Sequence, residues 1–86
     1  MNITLPEILE RDYASFRAIL RTLPSTYAKW LSILYEPWLA AYRRPEYNVR
    51  IVQVRPYEFR NFKIDNALPD DIGVLLDFAE RKSLPL

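Results

Sequence analysis

Arginine and tyrosine side chains are concentrated in the middle of the chain, between residues 42 and 64. Guanidinium groups bind carboxylates and phosphates through paired hydrogen bonds, and aromatic rings bury apolar area or stack on unpaired bases. A segment that combines the two residue types is suited to recognition, and we predict that a partner binds here. The predicted contact residues are Arg43, Arg44, Tyr47, Arg50, Arg55, Tyr57 and Arg60.

The charge of this segment is compatible with two classes of partner. Residues 37–63 have a net charge of +4, and residues 64–86 have a net charge of −3. The whole chain has a net charge of +1 and an isoelectric point of about 8.0. Dedicated nucleic-acid-binding domains are more basic than this. We therefore predict a protein partner or a second copy of the chain, with a nucleic acid as the alternative.

Several kinds of enzyme are disfavoured by the residue types that the sequence lacks. The chain has no Cys and no His, which excludes disulfides, zinc–thiolate sites, cysteine nucleophiles and the commonest general base. Gly73 is the only glycine, so a glycine-rich phosphate-binding loop is excluded as well. We predict a non-enzymatic protein with no cofactor and with no catalytic or metal-binding residues.

Three carboxylates leave one metal-binding alternative open. Asp65, Asp70 and Asp71 are close together in the sequence, and oxygen ligands of this kind can hold Mg²⁺. However, Asp65 is also typical of a turn, and the other two are typical of a helix N-terminus. We favour this structural interpretation of all three residues.

The length of the chain indicates one small domain over residues 1–86. The first residues include Glu7, Glu10 and Arg11, which argues against a signal peptide. No apolar run reaches the roughly 18 residues that a membrane-spanning helix needs. We therefore expect a cytoplasmic protein that does not bind membranes.

Two helices are predicted ahead of the basic segment. Residues 3–21 begin with Thr4 and Glu7 at the spacing of a capping box, and Pro6 falls in the first turn. Apolar residues then recur every three or four positions, as on one face of a helix. The second helix should be kinked or broken at Pro37, because a proline removes a hydrogen bond inside a helix. The short connection between the two predicts a helical hairpin.

The basic segment itself is predicted to form a two-stranded antiparallel β-ribbon. Residues 49–54 are rich in β-branched side chains, and residues 57–64 begin by alternating aromatic and charged side chains. The apolar positions change parity after Asn61, which predicts a bulge or a tight turn. A C-terminal helix is predicted over residues 69–82.

The predicted fold class is therefore α+β: a helical hairpin whose second helix is kinked or broken at Pro37, a two-stranded antiparallel β-ribbon and a C-terminal helix. An open ribbon edge can accept a further strand from a peptide or from a second copy. We predict a protein–protein interaction module that self-associates through the basic and aromatic ribbon. A small nucleic-acid-binding protein that uses the same surface is the alternative.

Overall fold

The sheet joins the first residues of the chain to its middle. The computed structural model describes residues 1–84, and within them two strands pair in parallel, with Leu5 opposite Ile51. Parallel strands need a long crossover, which the helices between them supply. In chain order the elements are β1 (Asn2–Glu7), α1 (Tyr13–Ile19), α2 (Tyr27–Lys29), α3 (Glu36–Ala41), β2 (Asn48–Gln53), α4 (Pro56–Asn66) and α5 (Ile72–Ser83).

The residues predicted to open the first helix form β1 instead. Leu5 is 3% exposed in this strand, and Pro6 is buried beside it. The capping-box spacing of Thr4 and Glu7 is a local preference, and helix propensities differ by only about 0.7 kcal/mol per ordinary residue. Burying one leucine side chain contributes about 1.5–3 kcal/mol, so pairing with β2 outweighs the local signal. Helical structure begins later, with a 3₁₀ turn over Glu10–Asp12 that leads into α1.

The predicted antiparallel ribbon is wrong in its second strand and in its direction. The segment predicted as the second strand lies in α4, and β2 pairs in parallel with β1. Pro56 opens α4, and Arg55 before it is extended, as residues that precede proline prefer. Phe59 and Phe62 are three residues apart and both contact Phe78 of α5. The change in spacing of the apolar residues, which we assigned to a bulge, therefore reflects the three-to-four-residue spacing along one face of a helix.

The helix that contains Pro37 does not break at the proline. A π-helical segment over Trp30–Tyr35 joins α2 to α3, and helical structure continues to Ala41. A proline ring clashes with the carbonyl group four residues earlier and offers no N–H to the helix. Single π turns are a known way in which a helix absorbs such a disturbance. Instead of a break at Pro37, the helix has a π-helical segment just before the proline.

The predicted helical hairpin is replaced by a different packing of α1. This helix has only 7 residues, and it packs on α4, where the ring centroids of Phe16 and Phe59 are 5.8 Å apart. Its contact with the next helix runs through Tyr13, whose ring lies 5.5 Å from that of Tyr27 and 6.4 Å from that of Trp30. The apolar surface that covers α1 is therefore supplied by α4 and not by a second helix of a hairpin.

The predicted C-terminal helix is confirmed as α5. The Asp71 side chain caps it, and Asp71 Oδ1 accepts a hydrogen bond from the Gly73 N–H at 2.8 Å. Leu75, Phe78 and Ala79 form its buried face. The helix thereby contributes both to the core and to one side of the sheet.

Aromatic side chains dominate the core. Phe16, Trp30 and Phe59 are fully buried, together with Val54 and Leu75. The Cα radius of gyration of the described residues is 12.8 Å. The predicted domain also includes residues 85 and 86, which lie outside the described residues. Within residues 1–84, no helix is both long and apolar enough to cross a membrane.

Helices lie against both faces of the sheet. On one face, Thr4 and Arg50 lie next to Glu80 and Ser83 of α5. On the other face, Ile51 and its neighbour Val49 lie next to Leu39 and Tyr42 at the end of α3. Because side chains alternate along a strand, even-numbered residues face α5 and odd-numbered residues face α3.

Candidate functional site

The residues predicted to contact a partner do not form one surface. Arg43, Arg44, Tyr47 and Arg50 lie in the turn that leads into β2 or on β2 itself. Arg55, Tyr57 and Arg60 lie at the start of α4, on a shallow cleft that α1 completes. The helical structure of α4 separates the two groups, because a ribbon would have carried them on adjacent strands. Whether either group binds a partner stays a prediction.

The cations in the first group are well exposed. Arg44 Nη1 lies 4.0 Å from Glu46 Oε1, and the two side chains are 69% and 58% exposed. A pair this open contributes little to stability, so both groups stay accessible to a partner. Arg43 is exposed beside Ile51 of β2.

The other two members of the first group are held in place by neighbours. Tyr47 packs edge-to-face on Tyr42, with ring centroids 5.0 Å apart, and is half-buried. Arg50 Nη1 donates a hydrogen bond to the carbonyl oxygen of Ser83 at 3.0 Å. These contacts tie the start of β2 to the ends of α3 and α5.

In the second group, Arg55 forms an ion pair within the fold. Arg55 Nε donates to Asp12 Oδ2 at 2.9 Å, and the Asp12 side chain is only 12% exposed. This ion pair joins the start of α1 to the start of α4. Tyr57 and Arg60 remain exposed on the rim of the cleft. Arg55 is therefore already satisfied within the fold, whereas Tyr57 and Arg60 are accessible.

The outer edge of β2 carries unpaired backbone groups. The Asn48 N–H donates to the carbonyl oxygen of Met1 at 2.8 Å, and the Val54 N–H donates to the carbonyl oxygen of Glu7 at 3.0 Å. Along a parallel strand, the backbone N–H and C=O groups of alternate residues are directed to the same side. Those of Asn48 and Val54 are directed to β1, so those of Val49, Ile51 and Gln53 are directed outward. Within residues 1–84, no hydrogen bond outside the β1–β2 ladder involves the backbone of Val49 or Ile51.

One end of this edge is closed by a lysine. Lys82 Nζ donates to the carbonyl oxygen of Gln53 at 2.9 Å and to Glu58 Oε1 at 2.6 Å. Charged side chains at sheet edges limit uncontrolled strand addition. The open part of the edge is therefore short and is centred on Ile51.

Apolar side chains surround the open part of the edge. The Ile51 side chain is 47% exposed, although Ile51 lies near the centre of β2. It lines a surface hollow of about 260 Å³ together with Val49, Leu39, Tyr42 and Arg43. Neither Ile51 nor Leu39 was among the residues predicted to contact a partner. The sequence does contain an indication, since residues 49–54 have apolar side chains at both odd and even positions. A strand with one exposed face needs apolar side chains on only one of its two faces.

Three tyrosines near the end of β1 are structural groups. Burial raises the pKa of Tyr13, of Tyr27 and of Tyr35 above the ordinary value of 10.0, and nearby Glu7 adds to the rise at the last two. Their hydroxyl groups therefore stay protonated at neutral pH. Tyr27 donates to the carbonyl oxygen of Ile8 at 2.8 Å, which fixes the chain just after β1.

The carboxylates considered as a magnesium site are used in other ways. Asp70 forms an ion pair with Lys63, and Asp71 caps α5. Asp65 is exposed near the end of α4. Within residues 1–84, no cluster of three or more such ligands is arranged to hold a metal ion.

Comparison with known proteins gives no family for this chain. No protein-family model matches it, and neither the curated proteins nor the solved structures contain a match. Any functional assignment therefore depends on the geometry described above.

Proposed function

We propose that this protein is a non-enzymatic protein–protein interaction module that self-associates through the outer edge of β2. One observation carries the proposal: the unpaired backbone groups of Val49 and Ile51 lie beside the half-exposed Ile51 side chain. A second copy satisfies both needs at once, because strand pairing supplies hydrogen bonds and covers apolar area.

A two-fold axis at Ile51 gives the simplest arrangement. Two copies of β2 pair antiparallel, and their two-stranded sheets become one continuous sheet. Ile51 then lies opposite Ile51 of the second copy, where the two side chains bury each other. A register centred on Arg50 would place two guanidinium groups opposite each other, which is unfavourable. The Ile51 register also pairs Val49 with Gln53, whose N–H is directed outward.

The arginines of the first group lie at the rim of this interface. Arg43 borders the hollow beside Ile51, and Arg44 is exposed in the same turn. Guanidinium groups at an interface rim form directional contacts with carboxylates and carbonyl groups of the partner. We propose that they orient the two copies, while Ile51 and Leu39 supply the buried area.

The nucleic-acid alternative has weaker support. The basic residues are divided between two sites, Arg55 is paired with Asp12, and Arg50 donates to a carbonyl group. A gel-shift titration with single-stranded and duplex DNA or RNA at about 50 mM salt tests it, since phosphate contacts weaken steeply as salt rises. A salt-sensitive shift that Arg43→Ala and Arg44→Ala abolish would make nucleic acid the better assignment.

Sedimentation velocity over a range of protein concentrations tests self-association. We expect the weight-average mass of the wild type to rise toward that of a dimer. Ile51→Lys should remain monomeric, because a charge replaces the apolar contact at the centre of the interface. Ile33→Lys is the matched control, since Ile33 is 58% exposed on a helix far from the edge in sequence. A wild type that stays monomeric at every concentration, or an Ile51→Lys variant that associates equally well, would contradict the proposal.

A further inference from the structure

The outer edge of β1 is free as well, but it lies in a groove. The groove has a volume of about 360 Å³ and runs between α3 and α5. Its lining includes consecutive residues of β1, which point to opposite faces of the sheet. A hollow that touches both kinds of residue must follow the strand edge. The lining residues are Asn2, Ile3, Thr4 and Leu5 of β1, Trp38 of α3, Tyr42 after it, and Gly73, Leu76, Asp77 and Glu80 of α5.

The backbone of β1 offers hydrogen bonds to this groove. The carbonyl groups of Met1 and Glu7 accept hydrogen bonds from β2, so the backbone N–H and C=O groups of odd-numbered β1 residues are directed toward β2. The backbone groups of Asn2, Thr4 and Pro6 are therefore directed toward the groove. Within residues 1–84, no hydrogen bond outside the ladder involves the backbone of these three residues. Pro6 has no N–H to offer, which is tolerated because it lies at an outward position.

Gly73 lies on the α5 wall of the groove. It is the only glycine in the chain, and its φ is not positive, so backbone conformation does not require glycine. A Cβ atom at this position would meet only the Asp71 side chain, at 3.4 Å, which is an ordinary contact. Packing within the described residues does not require glycine either. Glycine at this position therefore leaves space at the groove wall that a larger side chain would occupy.

The charge of the groove indicates which occupant fits. Asp77 and Glu80 lie on the α5 wall, and no arginine or lysine is among the lining residues. Arg81 Nε lies 3.3 Å from Asp77 Oδ2 on the exposed surface. In the part of the chain that the structure describes, Glu80 has no ion pair. The opposite wall is aromatic, formed by Trp38 and Tyr42.

We infer that the groove binds an extended segment of another protein, in which apolar and basic side chains alternate, and that this segment adds to β1 as a strand. Side chains on one face of the segment pack on Trp38 and Tyr42, and those on the other face reach Asp77 and Glu80. The floor over Asn2–Leu5 spans roughly 13 Å at about 3.3 Å per residue, so it holds about four residues. This inference is independent of self-association, which uses the opposite edge of the sheet.

A pair of synthetic peptides provides the probe. The first peptide has about five residues that alternate valine and lysine, and the second has glutamate in place of lysine; both carry fluorescein. Fluorescence polarisation should give saturable binding of the lysine peptide and about tenfold weaker binding of the glutamate peptide. In ¹H–¹⁵N spectra, the largest shifts should occur at the amides of Asn2 and Thr4 and at the Trp38 indole. No binding, equal binding of both peptides, or shifts confined to the β2 edge would overturn the inference.

Two substitutions test the backbone and the charge separately. Thr4→Pro removes an outward N–H while leaving the ladder to β2 intact, and Pro6 shows that such a position accepts proline. Loss of one backbone hydrogen bond should weaken the lysine peptide about tenfold. Glu80→Lys should weaken it by a similar factor at low salt, whereas Asp65→Lys, an exposed change on α4, should leave binding within about twofold. Equal effects of the two lysine variants would show a nonspecific charge effect and overturn the inference.

Substitutions at Gly73 separate folding from binding. Gly73→Ala should raise the melting temperature, because alanine is the better helix former and meets no close atom other than that of Asp71. Gly73→Leu should fill the groove and abolish peptide binding while the protein stays folded. If Gly73→Leu binds the lysine peptide as well as the wild type, the groove is not the binding site. Ile51→Lys should retain full peptide binding, so failure of self-association leaves this test intact.

Discussion

Both outer edges of the sheet carry unpaired backbone groups, but the surroundings of the two edges differ. Leu5 of β1 and Ile51 of β2 lie directly opposite each other, yet Leu5 is 3% exposed and Ile51 is 47% exposed. The edge of β1 lies between Trp38 on one side and Leu76 on the other. The edge of β2 is open apart from the lysine at its end. Helix placement, rather than the strands, creates the difference.

This difference assigns a different kind of partner to each edge. An open edge with an exposed apolar side chain favours a flat, self-complementary contact such as antiparallel pairing with a second copy. An edge enclosed by two walls admits only a narrow segment, and it can select that segment by size and charge. The two proposals are therefore independent.

The largest expected effect comes from truncating the two facing residues. Leu5→Ala should lower the free energy of unfolding by about 2–4 kcal/mol, because it leaves a cavity beside β1. Ile51→Ala removes a side chain that is already half in water, and it should cost about 1 kcal/mol or less in the monomer. Urea unfolding at low protein concentration measures both. Similar losses for the two variants would show that the edges are not as different as the burial of these residues indicates.

An intermediate effect is expected at the tyrosine that fixes the chain after β1. Tyr27→Phe removes the hydrogen bond to Ile8 and should cost about 1 kcal/mol at pH 8. The pKa of Tyr27 is raised in the folded state, so its contribution is complete below the unfolded pKa of about 10 and is lost as pH rises through the folded pKa. The wild type should therefore lose more stability between pH 8 and pH 11 than Tyr27→Phe does.

Tyr57→Phe is the matched control for removal of a tyrosine hydroxyl group, since Tyr57 is 57% exposed. It should not change the stability at pH 8 by a measurable amount. An alkaline loss that is the same in the wild type and in Tyr27→Phe would contradict the assigned role of the buried phenol. Unfolding by urea, followed through tryptophan fluorescence, provides the measurement.

The smallest effect on stability is expected at the lysine that closes the β2 edge. Lys82→Ala removes contacts to Gln53 and Glu58 that are partly exposed to solvent, so it should cost about 0.5–1 kcal/mol. It also frees the Gln53 carbonyl group and removes a positive charge from the edge. Self-association should therefore become a few-fold tighter, which sedimentation can detect. Weaker association in this variant would show that Lys82 belongs to the interface.

Local signals predicted some elements well. Aspartates at the start of residues 70–82, cations at the end and an apolar stripe between them correctly predicted α5, and the β-branched residues of 49–54 correctly located β2. Pro37 correctly marked a distortion in its helix, although the helix does not stop there. In each case the preference comes from nearby residues, so the sequence alone contains it.

Two elements were mistaken because short patterns are ambiguous. Thr4, Pro6 and Glu7 satisfy the rules for a helix start, yet they lie in a strand because a segment more than forty residues later pairs with them. Phe59 and Phe62 were interpreted as members of a strand with a bulge, and the choice of a helix follows from their common contact with Phe78. The split of the predicted binding surface into two groups is a direct consequence.

The sequence by itself determined the residue types available for recognition, the lack of histidine and cysteine, and the elements set by local preference. Only the tertiary structure decided which strands pair, in which direction, and which edge is enclosed. The physical reason is that pairing and burial depend on residues far apart in the chain, such as Leu5, Ile51 and Leu76. Burial of a side chain such as Leu5 contributes more free energy than the local propensities that it overrides.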